Sequence, residues 1–110
     1  MLIATDIPLT ERQLKRVARR AGVGLARTGS YYGNGSGDIA IAFTTANKVP
    51  HYSENDILDM KMFADSAIDK VFEATAEATE EAIISSLWHA RTTTGIGGRT
   101  VMGLQDFLSL

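Results

Sequence analysis

Gly33-Asn34-Gly35-Ser36-Gly37-Asp38 runs without a break into Ile39-Ala40-Ile41-Ala42-Phe43-Thr44. The first half has turn chemistry: glycines and an asparagine tolerate positive φ and let a chain reverse before a strand. The second half carries apolar residues on both faces, as a central strand covered on both sides does. Ser36 and Asp38 lie two residues apart, so an extended chain carries both to one side of the strand's mouth. The glycines flanking Ser36 leave its backbone bare to a substrate or to another chain. A carboxylate partly buried there needs a donor, and a protonated amine supplies one. A tight turn and a functional site are therefore both open readings of this stretch.

Upstream, Thr10 is placed to cap a helix, with Gln13 three residues on completing a capping box. Leu14, Val17, Ala18, Ala21 and Leu25 fall on one face of that helix, and Arg12, Lys15, Arg16, Arg19 and Arg20 on the other. Before it, Leu2-Ile3-Ala4-Thr5 reads as a buried strand stopped by Asp6 and Pro8. Downstream, Ala46 to Asn55 is a polar connection containing Pro50. Leu58, Met60 and Met62 alternate with Asp59 and Lys61, the pattern of a half-buried strand. Asp65 or Ser66 is expected to cap a second helix reaching about Arg91, with Ile68, Val71, Phe72, Ala82, Ile83 and Leu87 on its apolar side. Gly95 to Gly98 is expected to end it, and Thr100 to Leu104 to add an edge strand. The order β-α-β-β-α-(β) predicts an α/β or α+β domain of layered helices and sheet, with residues 1–110 as a single unit.

The composition fits that reading. The 110 residues are 45% apolar and 22% charged, with a net charge of −2, so no global charge attracts nucleic acid or an anionic membrane. No apolar run approaches the roughly 20 residues a bilayer span requires. The apolar N-terminus lacks the basic flank of a signal peptide. With no cysteine in the chain, thiolate catalysis, disulfides and cysteine-ligated zinc are excluded, and a cytoplasmic location is expected.

The blocks Ala4-Thr5-Asp6-Ile7-Pro8-Leu9, Gln13 to Ala21, Gly24 to Gly29, Gly33 to Ile39, Ala42 to Asn47 and Glu77 to Ile83 occur in one order. In them the sequence resembles the L-aminopeptidase/D-amidase/D-esterase family, which includes the β-peptidyl aminopeptidases. That resemblance covers almost the whole chain. It implies an N-terminal-nucleophile hydrolase made as one precursor that cuts itself, exposing a serine or threonine as the first residue of its smaller, C-terminal subunit. It further implies a four-layer αββα sandwich built from both subunits, a homo-oligomer, and no cofactor. Peptides or amides are the implied substrates. Carried onto this sequence, it makes Ser36 and Asp38 the catalytic residues beside the nucleophile, and Asn34, Gly35 and Gly37 the substrate-binding loop.

The chemistry is coherent. A primary hydroxyl needs a base, and a free α-amine with a pKa near 8 serves as one at neutral pH. The family's nucleophile lies just upstream of the strand containing Ala4-Thr5-Asp6, whereas Met1-Leu2-Ile3 already lies inside that strand. The nucleophile and the large N-terminal subunit are therefore expected outside this chain, and the chain alone is expected to be inactive. The alternatives are a non-catalytic fragment or assembly subunit, and a pantetheine-type amide hydrolase or acyltransferase of the same fold, since fold does not fix substrate.

Other residues are weighed against simpler roles. His51 and His89 are remote in sequence and lack the spacing of a metal pair, so no metal is expected. Trp88 reads as packing. Tyr31 and Tyr32 either line a pocket or cover a core edge. Gly95-Ile96-Gly97-Gly98-Arg99 follows a helix rather than opening one, unlike an anion cradle. Asp69, Glu73, Glu77 and Glu81 recur every four residues as an acidic ridge, which either faces the arginines of the first helix across a shared layer or faces water.

Overall fold

The computed structural model describes residues 1–110. Helix α1, Glu11–Arg27, begins at the expected capping box: the Gln13 amide donates to Thr10 Oγ1 at 3.3 Å, and the Thr10 amide donates to Gln13 Oε1 at 3.0 Å. Gln13 is itself fully buried, and its Nε2 donates to the Phe63 carbonyl and to Asp65 Oδ1, both at 2.7 Å. One side chain thus caps α1 and ties down the segment that leads to the second helix. Buried polar groups without partners are costly, and this amide has three.

Strand β1, Leu2–Thr5, pairs in parallel with β2, Ile41–Thr44, in the register Leu2↔Ile41, Ile3↔Ala42, Ala4↔Phe43 and Thr5↔Thr44. Ile3 and Ala42 turn toward the helices and pack on the core of Leu9, Val17, Ile68 and Val71. The opposite face is open. Leu2 is 70% exposed, Ile41 58% and Phe43 43%. The two strands are therefore covered on one side, not both, because the helices of this chain occupy one face only.

The expected strand over Leu58–Met62 does not form. Alternation gives a chain two faces, but a ladder also needs a neighbouring strand, and none lies beside this segment. It has no regular structure and is held at two points: the Asn47 side chain donates to the Lys61 carbonyl at 2.7 Å and accepts from the Lys61 amide at 3.0 Å, and the Phe63 amide donates to the Pro8 carbonyl at 2.7 Å. Leu58, Met60 and Met62 are exposed.

A 3-10 turn at Asp65–Ala67 leads into α2, Asp69–His89. Neither Asp65 nor Ser66 caps this helix; Ile68 holds the cap position with no side-chain bond. Asp65 is instead drawn to α1, where Arg12 Nη2 reaches it at 2.6 Å and Arg16 Nη1 at 3.8 Å. On the expected apolar side, Ile68 and Val71 are buried, whereas Ala82 and Leu87 are exposed. The two helices lie in one layer, but the acidic ridge faces water. The ion pairs from α1 to the second-helix segment are Arg12 and Arg16 with Asp65, in the turn before α2, and Arg27 with Glu80, on α2, at 3.5 Å. Arg16 and Arg20 spend their guanidinium groups on Phe72, at 5.1 and 3.7 Å from the ring centre.

Beyond α2 the chain forms its own hairpin, β3 (Thr93–Thr94) against β4 (Thr100–Val101), followed by α3, Leu104–Leu108. Gly95 to Gly98 is the hairpin's turn, with Gly97 and Gly98 both at φ 76°, and not the end of α2. The expected edge strand at Thr100–Leu104 is an arm of this hairpin and does not extend the β1–β2 sheet. No helix is long and apolar enough to cross a membrane. The architecture is mixed α/β.

Candidate functional site

The loop between α1 and β2 begins where Thr28 and Gly29 close the helix, their amides donating to the carbonyls of Leu25 and Ala26 at 3.0 Å each. Gly29 takes φ 105°, and three residues later Tyr32 takes φ 55°. These two residues reverse the chain. Gly33, Asn34, Gly35 and Gly37 all keep negative φ, contrary to the turn chemistry expected of them. The glycines' other expected property is present: a Cβ at Gly35 or Gly37 would meet nothing within 4 Å, so both sides of Ser36 are open.

A turn closed by the Ser36 amide donating to the Gly33 carbonyl at 2.8 Å fixes the serine. Its hydroxyl donates to the Asp38 carboxylate. The two residues singled out by sequence are therefore in direct contact. Both are exposed, where partial burial was expected for the carboxylate, and within this chain the donor to Asp38 is Ser36.

The start of β1 lies beside the end of this loop, where the Met1 backbone nitrogen donates to the Ile39 carbonyl at 2.6 Å. Met1 and Asp38 line one cavity of about 540 Å³ together with Lys15, Arg19 and Tyr32. A second, of about 270 Å³, is lined by Tyr32, Gly33, Ser36 and Asp38. Asn34, Gly35 and Gly37 line neither of the two. Lys15 and Arg19 belong to the basic face of α1, and periodicity assigned them to solvent. Their position beside the loop depends on how the chain returns from α1 to β2, which no local pattern encodes. A third, apolar cavity of about 320 Å³ runs between β1 and α2, bounded by Leu2, Ala4, Ala78, Ala82 and Ile83.

The perturbed carboxyl groups lie elsewhere. Asp65 is held below the usual aspartate value, first by the hydrogen bond from Gln13 and then by that from Arg12. Glu11 is lowered by its hydrogen bond with Lys15, one turn on. His51 stands edge-on to Tyr52, and His89 bonds back to Ser85 on α2, so neither histidine reaches the loop.

Known proteins share both sequence and shape with this chain. It is 40% identical over 104 residues to the β-peptidyl aminopeptidase BapA of Sphingosinicella microcystinivorans, covering 94% of this chain and 26% of the relative. A protein of known crystal structure from Pyrococcus horikoshii OT3 is 55% identical and superposes with a TM-score of 0.88, over 98% of this chain and 31% of that one. The L-aminopeptidase D-Ala-esterase/amidase of Ochrobactrum anthropi, a prototype of the serine aminopeptidases and a variant of the Ntn-hydrolase fold, is 40% identical. Its TM-score is 0.85 over 94% of this chain and 29% of that one. The chain thus spans about a quarter of the length of the curated relative it matches. The family match to peptidase family S58 extends over residues 1–101, and the chain belongs to that family.

Proposed function

We propose that this chain is the C-terminal segment of a self-cleaving aminopeptidase, in which Ser36 and Asp38 assist a serine or threonine nucleophile supplied by the residues preceding β1. The observation that carries this reading is the cavity shared by Met1 and Asp38, with Ser36 bonded to the same carboxylate. A nucleophile a short distance upstream of β1 would enter the space beside that pair. Its own α-amine would take the hydroxyl proton as it attacks the substrate carbonyl. Asp38 would stabilise the resulting ammonium, and Ser36 would orient the hydroxyl and the amine. The proton then passes to the leaving amine, and water completes hydrolysis of the ester intermediate. Substrates are peptides or amides that lose their N-terminal residue.

The open face of the sheet supports the remaining architecture. Leu2, Ile41 and Phe43 form an apolar surface that a second sheet would cover, giving the four layers of an αββα sandwich. The large N-terminal segment of the same precursor would supply that sheet together with the oxyanion contacts. Assembly into a homo-oligomer and a cytoplasmic location complete the proposal, the latter supported by the absence of cysteine.

The test is expression of the full-length protein. It is expected to cut itself into two subunits, the smaller beginning with serine or threonine a few residues before Leu2, and to release aniline from aminoacyl or β-aminoacyl anilides. A precursor that stays whole and inactive overturns the reading. The isolated chain is expected to be inactive, and turnover by it that is abolished by Ser36→Ala would overturn the upstream nucleophile.

A further inference from the structure

Tyr32 combines three properties that no other residue of the loop shares. It is the one non-glycine residue with a left-handed backbone, at φ 55°. It lines both cavities that contain Asp38. Its ring lies directly on α1 at Gly22, where a Cβ would stand 2.0 Å from the phenolic oxygen and 3.0 Å from the ring carbon that bears it. A bulky side chain keeps a left-handed conformation only when its surroundings enforce it. Here the ring rests on bare helix backbone, and the turn from Gly33 to Ser36 follows at once. Tyr31, next to it, is 89% exposed.

We propose that Gly22 is the seat of Tyr32, and that this contact makes Tyr32 a positioning residue which aims the Ser36–Asp38 pair at the start of β1. The inference rests on the role assigned above to that pair. It extends that role to a helix position whose glycine is costly to a helix on propensity alone. Gly22 has no positive φ and so needs no glycine for its backbone; the steric demand comes from Tyr32. Because the obstructing atom is the free end of a side chain, a methyl group at residue 22 would displace the ring and leave the helix intact. The loop would then lose the contact that holds Tyr32, and the Ser36–Asp38 pair would shift against the nucleophile.

The test uses the full-length protein with G22A, Y32F and the double variant G22A/Y32F. G22A is expected to leave the unfolding midpoint unlowered and KM little changed, and to reduce kcat by roughly 10-fold to 100-fold, the scale of a misplacement near 1 Å. Removing the hydroxyl takes away the 2.0 Å obstruction and leaves the ring carbon at 3.0 Å, so G22A/Y32F is expected to recover about tenfold over G22A. Hydrogen exchange at the Ser36 amide reads the same contact without catalysis: faster in G22A, restored in the double variant. If the double variant is no better than G22A in kcat, or if G22A leaves Ser36 exchange unchanged, the seat is wrong. If the full-length protein has no peptidase activity while exchange follows the expected pattern, the seat stands and the catalytic reading fails.

Discussion

Gly24 on α1 meets Thr79 on α2 so closely that a Cβ at Gly24 would lie 2.6 Å from the Thr79 Cβ and 2.5 Å from the Ala76 carbonyl oxygen. The helices cross at this point with no side chain between them. Thr79 is itself fixed, its hydroxyl donating to the Thr75 carbonyl at 2.7 Å. The obstruction at Gly24 is backbone and Cβ, which cannot swing away as the Tyr32 ring can. Gly24→Ala is therefore expected to destabilise the fold by about 1–3 kcal/mol through overpacking, of which helix propensity returns at most about 1 kcal/mol. Urea unfolding checks this, and a midpoint equal to or above that of the parent contradicts it.

Asp65 joins the two helices, and its charge gives the fold a pH dependence. Its carboxyl is lowered from the ordinary value first by Gln13 and then by Arg12. A carboxyl lowered in the folded state adds stability above its unfolded pKa, and that stability is lost as pH falls through the folded pKa. The contribution is thus present at neutrality and disappears below the ordinary aspartate value of about 3.9. Asp65→Ala is expected to flatten the acid side of a plot of unfolding midpoint against pH. An unaltered slope in that window would remove Asp65 from the acid response.

What the sequence made legible, and what it did not, follows from the range of each interaction. The capping box at Thr10 and Gln13 is local, complete within four residues, and was readable. The placing of Ser36 and Asp38 on one side was readable as well, since they lie two residues apart; their hydrogen bond to each other was not. Asp65 was misassigned as a cap because its partners, Arg12 and Gln13, are more than 50 residues away. The alternation at Leu58–Met62 predicted a half-buried strand that does not form, because a strand exists only with a neighbour, and Asn47 supplies a single substitute for one. The apolar residues on both faces of β2 predicted cover on both sides, and in this chain the outward face, with Ile41 and Phe43, is open. Tyr32 and Gly22 gave no sign of each other, since their contact depends on a left-handed turn that a tyrosine rarely makes.

The acidic ridge offers a test that packing does not confound. Asp69, Glu73, Glu77 and Glu81 are exposed and make no ion pair with the arginines of α1. Like charges four residues apart oppose a helix by roughly 0.2–0.5 kcal/mol per pair. Glu77→Lys removes repulsion with both Glu73 and Glu81 and replaces it with attraction. With two repulsions lost and two attractions gained, it is expected to stabilise the isolated chain by about 0.8–2 kcal/mol at low salt, with the gain shrinking as ionic strength rises. A salt-independent effect, or a loss of stability, would show that the ridge is engaged elsewhere in the fold.

Asp38→Asn separates the charge of the carboxylate from its shape. The asparagine keeps an oxygen that can accept from the Ser36 hydroxyl, so the loop is expected to retain its turn and the Ser36 amide its bond to Gly33. The negative charge is lost, and with it the stabilisation proposed above for the ammonium that would form when the α-amine takes the nucleophile's proton. In the full-length protein, self-cleavage and anilide turnover are both expected to fall by about 10²- to 10⁴-fold, the range of acid–base contributions. Ser36→Ala removes the partner of the same carboxylate. The two substitutions touch one hydrogen bond, so the double variant is expected to lose less than the product of the single losses. Rates in Asp38→Asn equal to those of the parent would take Asp38 out of the mechanism. Strictly multiplicative losses would mean that the contact between Ser36 and Asp38 is not the unit that acts on the nucleophile.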